Sequence, residues 1–416
     1  MSYEPQHLPG DFTHQSPSIV GAMDKCRQAE AAITRDLENN AAGSAVLVLE
    51  KKLVNVRILG HLLTVGPTSA AQAYIAQMIS SCQDEQALIE LGEAYDKYFI
   101  RAFAVHGIDT GISPRHLYRD SFTIPKTSSL RKLMHYSRYR AKSLALIRDN
   151  YRCMVAGRID GTAANSMEAL AREMIDRRII AEATRCAYIF PEYLAVDTGN
   201  EAKRRDIAKV WDVIKGFGYP KIQEELKGAQ IHSLCNILTL EPTLCSFFDE
   251  LRLWFVPTET PNHYLVETSM PFTLFKSREV PRVIEFKTTE PDLDLPSAEY
   301  LNIRATCCRV YHMSGAAEYF DKLDDDNDLD ADDDLDADDD LDADNDDLDA
   351  DNDDLDADDE LDADELAADD ELAADDELAA DGDLVAYAAP THRFAEMLAA
   401  RLHGTCPTDV RQVKVA

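Results

Sequence analysis

The sequence predicts an α+β fold. Three observations carry that expectation: helical hydrophobic spacing near the N-terminus, short strand-like runs in the middle of the chain, and turn-prone joints between those runs. At 416 residues the chain has room for two or three domains, and a hydrophobic content of 45% suffices for at least one large core. The expected organisation is a disordered N-terminus over 1–17, a helical region over 18–143 that ends in a basic segment, and a mixed region over 144–320. An acidic repeat over 321–384 and a tail over 385–416 follow.

The first 17 residues are rich in Pro, His and Gly, the composition of an unanchored terminus. In AVLVLEKKLVNVRILGHLL the apolar residues Leu49, Leu53, Val56, Leu59, Leu62 and Leu63 keep near-helical spacing. TSAAQAYIAQMISSC opens on the capping residues Thr68 and Ser69, and 84–104 reads as a third helix. RCMVAGRIDG and RCAYIFPEYL are short and β-prone, while AKRRDIAKVWDVIKGFG is helical. LRLWFVP and NHYLVET, separated by the turn-prone TETPN, predict a hairpin, with VIEFKT as a further strand. PTHRFAEMLAARLHG predicts a short amphipathic helix with Phe394, Leu398 and Leu402 on one face.

Charge is distributed unevenly. Residues 324–383 hold 35 Asp and Glu and no Lys or Arg, so the other 42 acids balance the 42 Lys and Arg, and the net charge of −35 belongs to this segment alone. Its units, such as LDADDD and LAADDE, cannot bury enough apolar surface to offset such charge density, which predicts an extended, disordered tract. The tract has the D-x-D pattern of calcium loops but lacks their turn glycine and closing glutamate, which leaves loose counterion condensation as the expectation. Between 115 and 152, ten Lys and Arg stand against Asp120 and Asp149, with Tyr118, Tyr136, Tyr139 and Tyr151 interleaved. That pattern suits a phosphate backbone with exposed bases; it equally suits a solvated helix face whose tyrosines pack inward. DNA or RNA is therefore one candidate partner, through Arg131, Lys132, Arg138, Arg140, Lys142 and Arg148. Basic proteins held by the acidic tract are another. The tract is also expected to compete with a polyphosphate for the basic face, an attraction that weakens with salt, with an inert spacer as the other reading.

The opening MSYEPQHLPGDF has no basic segment followed by an apolar core, and no run approaches the roughly 18 apolar residues that a membrane span requires. A soluble intracellular protein is expected, in the nucleus or the cytoplasm, with no membrane partner. Nine cysteines without paired spacing are expected to be free thiols. Cys153, Cys186, Cys235 and Cys245 lack the spacing of a structural zinc site, which favours small buried thiols.

One constellation carries chemistry. The run from LIRDNYRCMVAGRID through TRCAYIFP to NILTLEPTLCSFFDELRLWF resembles the HNH endonuclease domain of many fungal proteins, of the ββα-metal class. The resemblance covers roughly 144–270, with weaker flanks in ELGEAYDKYFIRAF and LPSAEYLNIRATCCRVYHMSGAAEYFDKL. In that family a strand carries Ala-His-Ile-Ile-Pro, and a later Asn precedes a His that is followed shortly by Phe-Asp. Here Ala187, Tyr188, Ile189 and Pro191 match the first element, and Asn236, Cys245, Phe248 and Asp249 match the second, with both histidines replaced.

The resemblance implies a ββα-metal core and a role for each position. The strand histidine, now Tyr188, takes the proton of the attacking water; the helix histidine, now Cys245, helps to hold a divalent metal on the scissile phosphate; Asn236 fixes the intervening loop. A phenol of pKa about 10 offers little base at neutral pH, and a thiolate is a soft ligand that suits zinc better than magnesium. Losing a general base costs 10²- to 10⁴-fold, so a degenerate nuclease with weak or no hydrolysis is expected, needing magnesium or zinc if active and no cofactor otherwise. His232 is a candidate rescue base and Asp249 a candidate oxygen ligand. The alternative reading makes His232 a partly exposed residue entering a helix and Asp249 a brace for the next strand. A non-catalytic nucleic-acid-binding or regulatory protein is the alternative function.

Overall fold

A computed structural model describes residues 4–39, 44–104, 138–196 and 199–323. The acidic repeat, the tail and most of the basic segment, including Arg131 and Lys132, lie outside the described residues.

Four helices come first: α1 (Pro17–Asn39), α2 (Ser44–Val65), α3 (Ser69–Ser81) and α4 (Glu85–Tyr95). The Thr68 hydroxyl caps α3 by accepting from Ala71 N at 2.9 Å, and the Asp84 carboxylate caps α4 by accepting from Ala87 N at 2.8 Å. Helix α4 runs on through a π-helical turn, Asp96–Ile100, into Arg101–Phe103, so the helix expected over 84–104 is present with one change of winding. Gly92 lets α4 cross α2 closely, because a Cβ there would stand 2.2 Å from Asn55 O.

The expectation of a disordered N-terminus is corrected. From residue 4 the segment lies against the helices: Gln6 N donates to Met313 O at 2.9 Å, and Leu8, 5% exposed, packs where a side chain on Gly60 would collide with it. The buried Glu30 accepts from Leu8 N at 3.1 Å and pairs with Arg57 at 2.7 Å. One apolar anchor and one buried acceptor outweigh a loop-like composition.

Helix α5 (Arg138–Arg148) opens the mixed region. Strand β1 (Ile159–Asp160), α6 (Gly161–Ser166), α7 (Glu168–Arg177) and β2 (Ala181–Glu182) follow, with β1 and β2 parallel. Strand β3 (Arg185–Tyr188) leads through α8 (Glu201–Gly216), capped by the Asn200 side chain, to β4 (Ile237–Leu240), its antiparallel partner. Helix α9 (Pro242–Asp249) starts on a proline, which supplies a preset φ where no N–H is needed. Strands β5 (Leu253–Pro257), β6 (His263–Thr268) and β7 (Val283–Glu285) form the expected hairpin and its third antiparallel strand. Helix α10 (Ala298–Met313) follows, and a further helical stretch over 316–323 ends the described residues.

The architecture is α+β, with helices and small sheets. A single hydrophobic cluster runs from Leu8, Met23 and Leu59 through Phe99 and Phe217 to Phe248, Trp254 and Cys308, so the helical and mixed regions share one core. Helix α10 joins them by packing on both α2 and β5. No helix among the described residues is long and apolar enough to cross a membrane.

Candidate functional site

The quoted motif maps onto β3, β4 and α9. Arg185 stands opposite Leu240 and Tyr188 opposite Ile237, and β4 passes through Glu241 into α9, which packs against β3. Asn236, fully buried, ties the connection together: its Oδ1 accepts from Phe190 N at 2.8 Å, and its Nδ2 donates to Phe190 O and Ile231 O, each at 3.0 Å. Arg304 reaches from α10 to donate to Ile189 O at 3.1 Å and to Phe248 O, with its guanidinium 3.9 Å from the Phe248 ring centroid. The end of β3 and the end of α9 are thereby held by one cation. At the other end of α9 the buried Glu241 carboxylate pairs with Arg158 at 3.1 Å and with Arg278.

At the expected base position, Tyr188 is 9% exposed and packs with Ala141 and Ala145 of α5 and with Ile237. Its hydroxyl lies 2.9 Å from His232 Nδ1, with the rings edge to face at 73°. Glu192, on the 3₁₀ turn after β3, brings Oε1 to 3.5 Å from His232 Nδ1 and Oε2 to 3.2 Å from Arg138 Nη1. Burial, reinforced by Glu192, pushes the Tyr188 phenol far above its ordinary value, so it stays protonated. Burial and the nearby Arg138 push the His232 imidazole down, which keeps it neutral at pH 7. Burial pushes the Glu192 carboxyl up, opposed by Arg138 and by a hydrogen bond from Tyr188.

At the expected metal position, Cys245 and Asp249 meet on α9, as a spacing of four residues requires. They meet as donor and acceptor: the fully buried thiol points its Sγ at Asp249 Oδ2, 3.6 Å away. Burial and the Asp249 charge hold that thiol well above its ordinary pKa, so it remains S–H rather than the thiolate a metal requires. Among the described residues no group of three or more His, Cys, Asp or Glu is arranged to hold a metal ion. A divalent cation does not fit this donor set of a protonated thiol turned onto a single carboxylate.

The basic residues separate into three classes. Arg138 is committed to Glu192, while Arg140 and Lys142 are half-buried on the same helix. Arg148 is a correction: it is wholly buried and cannot reach a phosphate. Its Nε and Nη2 pair with Asp149 at 2.7 and 2.8 Å, and its remaining donors reach Leu234 O at 2.9 Å, Ile237 O at 3.0 Å and Asp294 O at 3.3 Å. The charge that resembles the end of a nucleic-acid patch fastens α5 to β4 instead.

Glu192 and Arg138 complete the polar cluster, and sequence reasoning assigned neither to it. Glu192 follows the Ala-Tyr-Ile-Phe-Pro run directly, but it lies on a turn, where no periodicity signals which way a side chain points. No family model, no curated protein and no solved structure matches the chain.

Proposed function

We propose that this chain is a degenerate nuclease of the HNH type, in which the β3, β4 and α9 elements persist as a ββα scaffold while metal-dependent phosphodiester hydrolysis is lost and nucleic-acid binding remains. The observation that carries the proposal is the condition of the two substituted positions. The Tyr188 hydroxyl is held by His232, and the Cys245 thiol is turned onto Asp249 inside the core. Asn236 still binds the loop on both sides of Phe190, which supports descent from a working motif. Binding draws on α5, which carries Arg140 and Lys142, and phosphate contacts give an affinity that falls steeply with salt.

Plasmid nicking in Mg²⁺, Mn²⁺ or Zn²⁺ tests the loss, and no activity above background is expected. Robust metal-dependent cleavage that disappears in Cys245→Ala would overturn the proposal. A folded Tyr188→His, Cys245→His double variant is expected to gain measurable nicking, since it returns base and ligand together. Gel shifts over a salt series test binding: Arg140→Glu with Lys142→Glu should weaken affinity and flatten the salt slope.

A further inference from the structure

The cluster around Tyr188 holds an imidazole with one nitrogen occupied and the other available. His232 Nδ1 faces Tyr188 and Glu192, whereas Nε2 hydrogen-bonds to none of the described residues. The side chain is 19% exposed, enough for its outer edge to meet a ligand.

The position of the protons follows from the partners. An ionised carboxylate only accepts, and it accepts more strongly than a neutral imidazole. Arg138 Nη1, 3.2 Å from Oε2, favours the ionised form of Glu192. The Tyr188 proton is therefore drawn to Glu192, and the phenol oxygen accepts from His232 Nδ1–H across 2.9 Å. With its proton on Nδ1, the ring leaves the Nε2 lone pair without a partner among the described residues. A carboxylate, a phenol and an imidazole in series thus fix one tautomer and one orientation, which is what a general base requires.

Which substrate can use such a base without a metal? Water attacking phosphorus needs both activation and strong charge neutralisation. A ribose 2′-hydroxyl is already adjacent to its own phosphodiester, an intramolecular geometry with a very high effective concentration. We infer that His232 Nε2, oriented by Tyr188 and Glu192, is a metal-independent general base for cleavage of single-stranded RNA. His232 takes the 2′-hydroxyl proton; the O2′–P bond forms as the P–O5′ bond breaks; the departing 5′ oxygen takes a proton from water. The products are a 2′,3′-cyclic phosphate and a 5′-hydroxyl, and His232 returns its proton to solvent. Arg138 lies beside the imidazole and stays paired with Glu192, whose carboxylate it holds in place. Glu192 and Tyr188 act through His232 and are positioning residues. The inference rests on the nucleic-acid-binding reading of α5 given above.

The test uses the full chain, a 5′-labelled RNA oligonucleotide and its DNA counterpart, in excess EDTA, with gel shifts run in parallel on both. EDTA-insensitive cleavage of RNA alone, leaving a 2′,3′-cyclic phosphate, is expected. His232→Gln should lower the rate at least 100-fold while RNA binding persists, in line with the usual contribution of a general base. The rate should rise with pH and level off, with its midpoint below 6.5, because Tyr188, Glu192 and Arg138 are the groups that face the ring and burial with Arg138 favours its neutral form. Glu192→Gln should move that midpoint, a readout that a purely structural role would leave in place. RNA bound but uncut, or cleavage undiminished in His232→Gln, overturns the inference and leaves the binding proposal standing. Absence of RNA binding at low salt overturns both.

Discussion

Two polar clusters flank the same pair of strands, and they are built to opposite rules. Around Arg148 every guanidinium nitrogen has a partner, the side chain is wholly buried, and the partners come from segments far apart in sequence. Around His232 the side chains of His232, Glu192 and Arg138 are 19 to 28% exposed, and one ring nitrogen has no partner among the described residues. The contrast separates two uses of polar groups near a core. A fully satisfied network fixes geometry and has no remaining capacity to bind anything, whereas a partly satisfied one at the surface retains it. If the contrast is sound, substitutions in the first cluster act on stability and those in the second act on chemistry.

The largest effect is expected from Arg148→Ala. Removing the cation strands the Asp149 carboxylate, 8% exposed, together with three carbonyl acceptors, and breaking a buried pair in this way costs about 3 to 5 kcal/mol. Urea denaturation measures it, and a cost under about 1 kcal/mol, the level of a surface pair, would erase the distinction between the clusters. Asn236→Ala comes next. It leaves Phe190 N–H, Phe190 O and Ile231 O without their buried partner, at about 2 to 4 kcal/mol in total once some relaxation is allowed. The same denaturation series reads it, and the nicking of any active double variant should fall with it.

The elements carried by local patterning were legible in the sequence. Helical spacing placed α2, capping residues placed the start of α3, and two strand-like runs with a turn-prone joint placed β5 and β6. What escaped was set by distant partners. The composition of 4–16 suggests disorder because nothing local signals that Leu8 has Gly60 to pack on or that its N–H has Glu30. Arg148 stands in a run of basic residues, and only the carbonyls of Leu234, Ile237 and Asp294 distinguish it from its neighbours. At the site, the positions of Tyr188, Asn236 and Cys245 were visible as a motif. The turn of Glu192 toward His232, from the segment after β3 to the one before β4, is a tertiary fact with no periodic signature.

Buried histidine provides a third, smaller effect, located away from both clusters. His61 is 1% exposed, donates Nε2–H to Gln6 O at 3.2 Å, and is lowered by burial to a pKa of about 4. A folded pKa below the unfolded value of about 6.5 means that the unfolded chain binds the extra proton first. The stabilising contribution is therefore complete above pH 6.5 and declines as pH falls toward 4, reaching a loss of about 2 kcal/mol at pH 5. His61→Gln should flatten this part of the stability-against-pH curve. An unchanged slope would mean that the acid sensitivity arises elsewhere, for instance at His312, which burial also lowers.

The smallest effect on stability, and the most informative about chemistry, is expected from Tyr188→Phe. The ring still fills its place beside Ala141, Ala145 and Ile237, and one hydrogen bond at the margin of the core is lost, worth about 0.5 to 1.5 kcal/mol. His232 changes more. Without the phenol oxygen, Nδ1–H has only Glu192 to donate to, 3.5 Å away, and a short movement turns a relay into a direct ion pair. A carboxylate that pairs directly with imidazolium favours the charged ring, so the His232 pKa, held down in the wild type by burial and Arg138, should rise. Proton NMR titration of the His232 ring follows this without any assay of activity. An upward move, together with unchanged RNA binding, would show that Tyr188 adds to burial and Arg138 in keeping His232 neutral, by standing between the ring and Glu192. A titration curve identical to that of the wild type would mean that the tyrosine merely fills space, and the second cluster would then be as inert chemically as the first.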